Sequence, residues 1–114
     1  MQVINCKKQN LVKLGYNSLQ EWRQDPNNIY IGRDMSFYVK GAQKSKWHNP
    51  FNAKKYGRSE CLKLFKEYMM ENKQLLSELH ELDGKVLGCW CKPEDCHGDI
   101  LIELLEKSKT EQLI

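Results

Sequence analysis

Residues 85–91, Lys-Val-Leu-Gly-Cys-Trp-Cys, constrain this chain more than any other stretch. They follow an Asp83-Gly84 turn signal and run almost wholly apolar, without the alternation of a strand that has one wet face. A strand of this kind is buried on both sides, which places it in a parallel sheet covered by helices. Residues 95–99 then open a helix whose Leu101, Leu104 and Leu105 face inward.

The remaining elements fit that frame. Residues 2–6 read as a short strand, and residues 28–32 as a second one stopped by Gly32. Asn17 or Ser18 caps a short helix carrying Leu19 and Trp22, which Asp25-Pro26 ends. Ser59 is the expected N-cap of a helix with Cys61, Leu64, Phe65 and Tyr68 at helical spacing. Asn72 caps another, with Leu75, Leu76, Leu79 and Leu82 inward. Residues 34–57 read as a long irregular connection punctuated by Gly41, Pro50 and Gly57. Helices between strands favour parallel pairs. The expected fold is therefore a small three-layer, Rossmann-like α/β domain with a short, mostly parallel sheet. One domain over residues 1–107 is expected, with residues 108–114 as a frayed tail.

Composition narrows the function classes. Apolar residues make up 40% and charged residues 29% of 114 residues, an ordinary globular balance that argues against disorder. There are 18 Lys+Arg against 15 Asp+Glu, a net charge of +3. The pI near 8.6 falls below that of a strongly electrostatic nucleic-acid binder. No apolar run reaches the roughly 20 residues that span a bilayer, and the N-terminus lacks a signal-peptide core. A cytoplasmic protein without membrane attachment is expected. Its five cysteines then read as thiols, not a disulfide framework. The dinucleotide fingerprint, the P-loop and the nucleophile elbow are all missing, so the fold alone assigns no activity.

Chemistry concentrates in residues 89–99, Cys-Trp-Cys-Lys-Pro-Glu-Asp-Cys-His-Gly-Asp. This block leaves the C-terminal end of the buried strand and enters a helix, where ligands gather in open α/β sheets. Three readings compete. Cys89, Cys91, Cys96 and His97 are zinc-ligand types, but their C-x-C-x₄-C-H spacing is compact, and adjacent Cys96 and His97 converge on one ion only through a tight turn. Zinc is accordingly disfavoured. In a catalytic reading His97 or Asp99 transfers protons and Cys96 is a nucleophile. In the packing reading the cysteines are small buried residues, which suits Cys89 best. Gly98 leaves room for a phosphate on the helix amides.

Two further blocks carry candidate ligand contacts. At residues 30–33, Tyr-Ile-Gly-Arg, Gly32 permits close backbone approach and Arg33 offers a fork for phosphate. Residues 45–51, Ser-Lys-Trp-His-Asn-Pro-Phe, suit nucleobase recognition. There Trp47 stacks a base or pins the loop to the core, Lys46 binds phosphate with Arg33 and the Gly98 amides, Ser45 joins the ligand contacts, and Asn49 fixes orientation. Asn5, near the end of the first strand, can reach the same corner.

Taken together and in this order, the blocks resemble the family catalogued as domain of unknown function 4326, found in bacteria, bacteriophages and large DNA viruses. Its pattern runs V-x-N, Y-I-G-R, S-K-W-x-N-P-F and C-W-C-x-P-x-x-C-H-G-D, matched here by Val3 and Asn5 and by residues 30–33, 45–51 and 89–99. The resemblance spans residues 3 to about 105 and implies a Rossmann-like α/β fold, with no established activity. From the residues, the leading reading is a domain that binds a nucleotide or nucleotide-derived phosphate ligand, with hydrolysis or transfer open. The alternative is a non-catalytic nucleic-acid or protein interaction module, zinc-stapled through its Cys/His cluster.

Overall fold

The computed structural model describes residues 2–112. It has three short strands, β1 (Gln2–Asn5), β2 (Asn28–Tyr30) and β3 (Val86–Cys89). Between and after them lie α1 (Lys8–Lys13), α2 (Leu19–Trp22), α3 (Ala53–Tyr56), α4 (Arg58–Glu71) and α5 (Lys73–Glu78), a 3₁₀ turn over Leu79–Leu82, and α6 (His97–Gln112). The strands form one sheet in the order β1-β3-β2, and both pairings are parallel. No helix among the described residues is long and apolar enough to cross a membrane.

The apolar run of residues 85–91 becomes the central strand, and its side chains serve two cores by strict alternation. Leu87 and Cys89 join one cluster with Phe65 and Met69 of α4 and Leu101, Leu104 and Leu105 of α6. Val86 and Trp90 pack into the other, with Leu11 of α1, Leu19 and Trp22 of α2, and Tyr30. Val3 and Ile29 face the first cluster while Ile4 faces the second, so all three strands obey the same pleat. The sheet is thus the middle of three layers. Gly88 points toward the α2 side, where a Cβ would meet Cys6 Sγ at 2.5 Å and the Trp22 ring at 2.6 Å. The Trp22 ring can approach the central strand this closely only because that position is glycine.

Local chemistry sets the boundaries. Ser18 Oγ accepts from Glu21 N–H at 3.1 Å to start α2, and Asn72 Oδ1 accepts from Leu75 N–H at 3.1 Å to start α5. At α4 the expected Ser59 cap gives way to Gly57, whose φ of 80° turns the chain out of α3 and straight into Arg58. Two helices run through stretches without a helical apolar stripe. In α1 only Leu11 is buried, and in α3 no residue is. The connection after β2 is compactly folded: Met35 N–H donates to Ala42 carbonyl at 2.8 Å, and Ala42 is fully buried. The helix expected to fray after Lys107 continues to Gln112, with Lys109 paired to Asp83 at 2.6 Å. The last two residues of the expected tail lie outside the described residues.

Candidate functional site

Parallel pairing brings the C-terminal ends of β1, β2 and β3 to one edge of the sheet. There the chain leaves β3 at Cys89, makes a short excursion over residues 90–96 with a cis Lys92–Pro93 peptide bond, and enters α6 at His97. Asn5 anchors the excursion. Its Nδ2 donates to the carbonyls of Trp90 and Lys92, and its Oδ1 accepts from Lys7 N–H at 2.9 Å. Asp99 clamps the far side, taking Lys92 Nζ at 2.8 Å and Cys96 N–H at 3.3 Å.

This folding gathers the sulfurs of Cys89, Cys91 and Cys96 and a ring nitrogen of His97 within 4.8 Å of one another. Cys89, Cys96 and His97 are buried and Cys91 is half-buried. Compact spacing does not keep the four apart: Cys96 immediately precedes α6, and the helical curl sets the His97 ring beside its sulfur, with Nδ1 3.7 Å from Sγ. His97 Nε2 lies 2.8 Å from the Ile31 carbonyl oxygen. A carbonyl only accepts, so Nε2 carries the proton and Nδ1 presents its lone pair to the sulfurs. Phe65 packs edge-on against the ring at 5.1 Å.

Crowding splits the thiols' acidities. Hydrogen bonds from Cys89 and Cys96, with the Arg58 guanidinium beside it, hold the Cys91 thiol far below its ordinary value. Its neighbours move the other way. The hydrogen bond to Cys91 is the largest cause lifting Cys89, to about 11, while contacts with Cys89 and Cys91 raise Cys96. Four soft or borderline donors converge here, as a thiophilic divalent metal requires.

The cluster forms one wall of a cavity of about 910 Å³. Of the residues singled out in the sequence, Asn5, Arg33, Asn49, Cys89, Cys91 and His97 line it. The others lie elsewhere, for identifiable reasons. Trp47 is 3% exposed within the α4–α6 core and offers no face for stacking. Lys46 reaches Glu78 at 2.7 Å and Glu81 at 2.8 Å, away from the cavity. Ser45 Oγ accepts from Trp47 N–H at 3.0 Å, holding its own loop. At Gly32 a Cβ would strike the Tyr30 ring, whose hydroxyl donates to Arg33 carbonyl at 2.6 Å. Gly98 faces inward, where a Cβ would meet Val3 at 2.8 Å and Ile31 at 2.9 Å, so it serves packing and not phosphate approach.

The expected acid–base trio is likewise committed. His97 has both ring nitrogens engaged, Asp99 is ion-paired, and Cys96 is fully buried. Phe51, Trp90 and Lys92, from the same sequence blocks, also line the cavity, and Lys7, Lys54 and Arg58 join them from outside those blocks. Nothing in a linear pattern tells which of 18 Lys+Arg residues face a cleft. Arg58 had one signal: it follows Gly57 at the first turn of a helix, and its Nη1 donates to the Asp95 carbonyl at 2.8 Å.

Comparison with known proteins adds kinship without chemistry. The chain is 39% identical over 87 residues to "Uncharacterized protein R718" of Acanthamoeba polyphaga mimivirus, covering 68% of this chain and 65% of that protein. It is 31% identical over 65 residues to the "Uncharacterized 12.4 kDa protein in nrdA-td intergenic region" of Enterobacteria phage T4, covering 54% of this chain and 60% of that protein. The chain therefore spans less than two thirds of either relative's length. No solved structure matches it. The family model described as "Domain of unknown function (DUF4326)" matches residues 16–107, and the chain belongs to that family.

Proposed function

We propose that this chain binds a phosphate-bearing ligand of the nucleotide class in the cavity beside the thiol cluster. The observation that carries this reading is a shared wall: Arg33, just past β2, and Arg58, opening α4, line one cavity with Lys7, Lys54 and Lys92. Against these stand the carboxylates of Glu94 and Asp95, so positive charge predominates. Among the described residues the Arg33 guanidinium has no hydrogen bond or ion pair of its own. A guanidinium presents a donor fork matched to phosphate oxygens. Phe51 and Trp90 in the same lining supply apolar surface for a base or sugar. A volume of about 910 Å³ suits a small molecule, for which pockets run roughly 300–1,000 Å³.

No proton-transfer step is assigned, because His97, Asp99 and Cys96 are occupied in holding the wall together. Calorimetric titration with a nucleoside triphosphate, its parent nucleoside and inorganic pyrophosphate tests the reading. The triphosphate and pyrophosphate should bind and the nucleoside far more weakly. Arg33→Ala should weaken the triphosphate about tenfold, as expected for losing a charge-assisted contact. Equal binding of nucleoside and triphosphate, or binding of none of the three, would refute it.

A further inference from the structure

We propose that Cys89, Cys91, Cys96 and His97 hold a single zinc(II) ion, a four-coordinate centre that fastens the start of α6 to the end of β3. The four donor atoms lie within 4.8 Å of one another. In a tetrahedral site, Zn–S of about 2.3 Å and Zn–N of about 2.0–2.1 Å put neighbouring ligand atoms roughly 3.5–3.8 Å apart. The 3.7 Å from Cys96 Sγ to His97 Nδ1 already matches such an edge.

The imidazole is oriented in advance. Nε2–H is anchored on the Ile31 carbonyl, which leaves Nδ1 as the donor and fixes the ring plane, the usual outer partner of a ligating histidine. All the cysteines are free thiols, so no disulfide consumes the sulfurs. Packing alone accounts for small buried residues, but it does not require three sulfurs and an imidazole lone pair to point at one spot. Cys91 is half-buried and lines the cavity, which gives an ion its entry path.

Binding is balanced without an oxidant or reductant. Each thiol passes its proton to solvent and its sulfur lone pair to the metal, and neutral His97 donates from Nδ1. Three thiolates and a divalent ion leave one negative charge, beside Arg58. With all four positions taken by protein, the centre is structural and not hydrolytic. Such an ion would sit there whatever the cavity binds.

The test uses the whole chain purified under reducing conditions. Elemental analysis should find about one zinc per chain. Replacement by cobalt(II) should give tetrahedral ligand-field bands and thiolate-to-cobalt charge transfer. Cys91→Ser should lower the charge-transfer intensity by about a third, since two of three thiolates remain. Cys6→Ala, in the opposite layer, should leave the spectrum unchanged. A protein that takes up neither zinc nor cobalt on reconstitution would overturn the proposal. So would a cobalt spectrum without thiolate charge transfer, or one that Cys6→Ala alters as much as Cys91→Ser does.

Discussion

His97 Nε2 stands 2.8 Å from the carbonyl oxygen of Ile31, a hydrogen bond between the first residue of α6 and the residue just past β2. Ile31 N–H donates in turn to Gly88 carbonyl at 2.9 Å, so the same residue is tied to the central strand. One buried imidazole thereby ties the segment leading from β2 to Arg33 to the thiol cluster, and both line the same cavity.

Removing that imidazole should be felt throughout the domain. His97→Ala strands the Ile31 carbonyl and empties the space against Phe65. An unsatisfied buried acceptor costs about 1–3 kcal/mol, and the void adds to it. We expect a loss of roughly 2–4 kcal/mol, read from urea unfolding. A variant within about 0.5 kcal/mol of the parent, the range of an ordinary surface substitution, would deny His97 this structural role.

Trp47→Ala separates core from ligand contact. A tryptophan 3% exposed belongs to the core, and truncating it should cost about 3–5 kcal/mol of stability. The folded fraction should bind the nucleoside triphosphate with parental affinity. Normal stability combined with lost affinity would restore Trp47 as a stacking platform.

Gly88→Ala probes the contact between α2 and the sheet. The added methyl would lie 2.6 Å from Trp22, which is 1% exposed. Overpacking costs typically 1–3 kcal/mol, while alanine recovers less than about 1 kcal/mol of backbone entropy. Net destabilisation of roughly 2 kcal/mol is expected in thermal or urea melts. Neutral or increased stability would contradict the tight fit.

Two cations 12 positions apart in the chain, Lys46 and Arg58, should behave oppositely. Arg58 lines the cavity, whereas Lys46 is held by Glu78 and Glu81 outside it. Arg58→Ala should weaken triphosphate binding about tenfold and flatten its salt dependence. Lys46→Ala should leave both unchanged. The reverse pattern in calorimetry would move the ligand to the other side of the loop.

Legibility followed physical cause. The central strand was plain from its apolar run, because burial on both faces erases alternation. The Asn72 cap is plain, and the first cap is narrowed to Asn17 or Ser18, because a side-chain oxygen before a helix has one obvious use; Ser18 takes it. Helices α1 and α3 were silent, since neither buries enough residues to leave a 3.6-residue period. The edge that carries the site followed from parallel pairing, which set Asn5, Arg33 and Cys91 around one cavity. Trp47 and Lys46 have the right chemistry for a ligand, but core packing and two glutamates claim them, and both constraints are long-range. For the thiol cluster, the compact C-x-C-x₄-C-H spacing hides the convergence, because only the turn at 90–96 and the first curl of α6 bring the four donor atoms within 4.8 Å.

X-ray absorption at the zinc edge of the purified protein reads the ligand shell of the Cys89, Cys91, Cys96 and His97 cluster itself. A zinc ion held by Cys89, Cys91, Cys96 and His97 gives a four-coordinate shell of three sulfurs at about 2.3 Å and one nitrogen at about 2.0–2.1 Å. A shell of nitrogen and oxygen only, or a six-coordinate one, would contradict it.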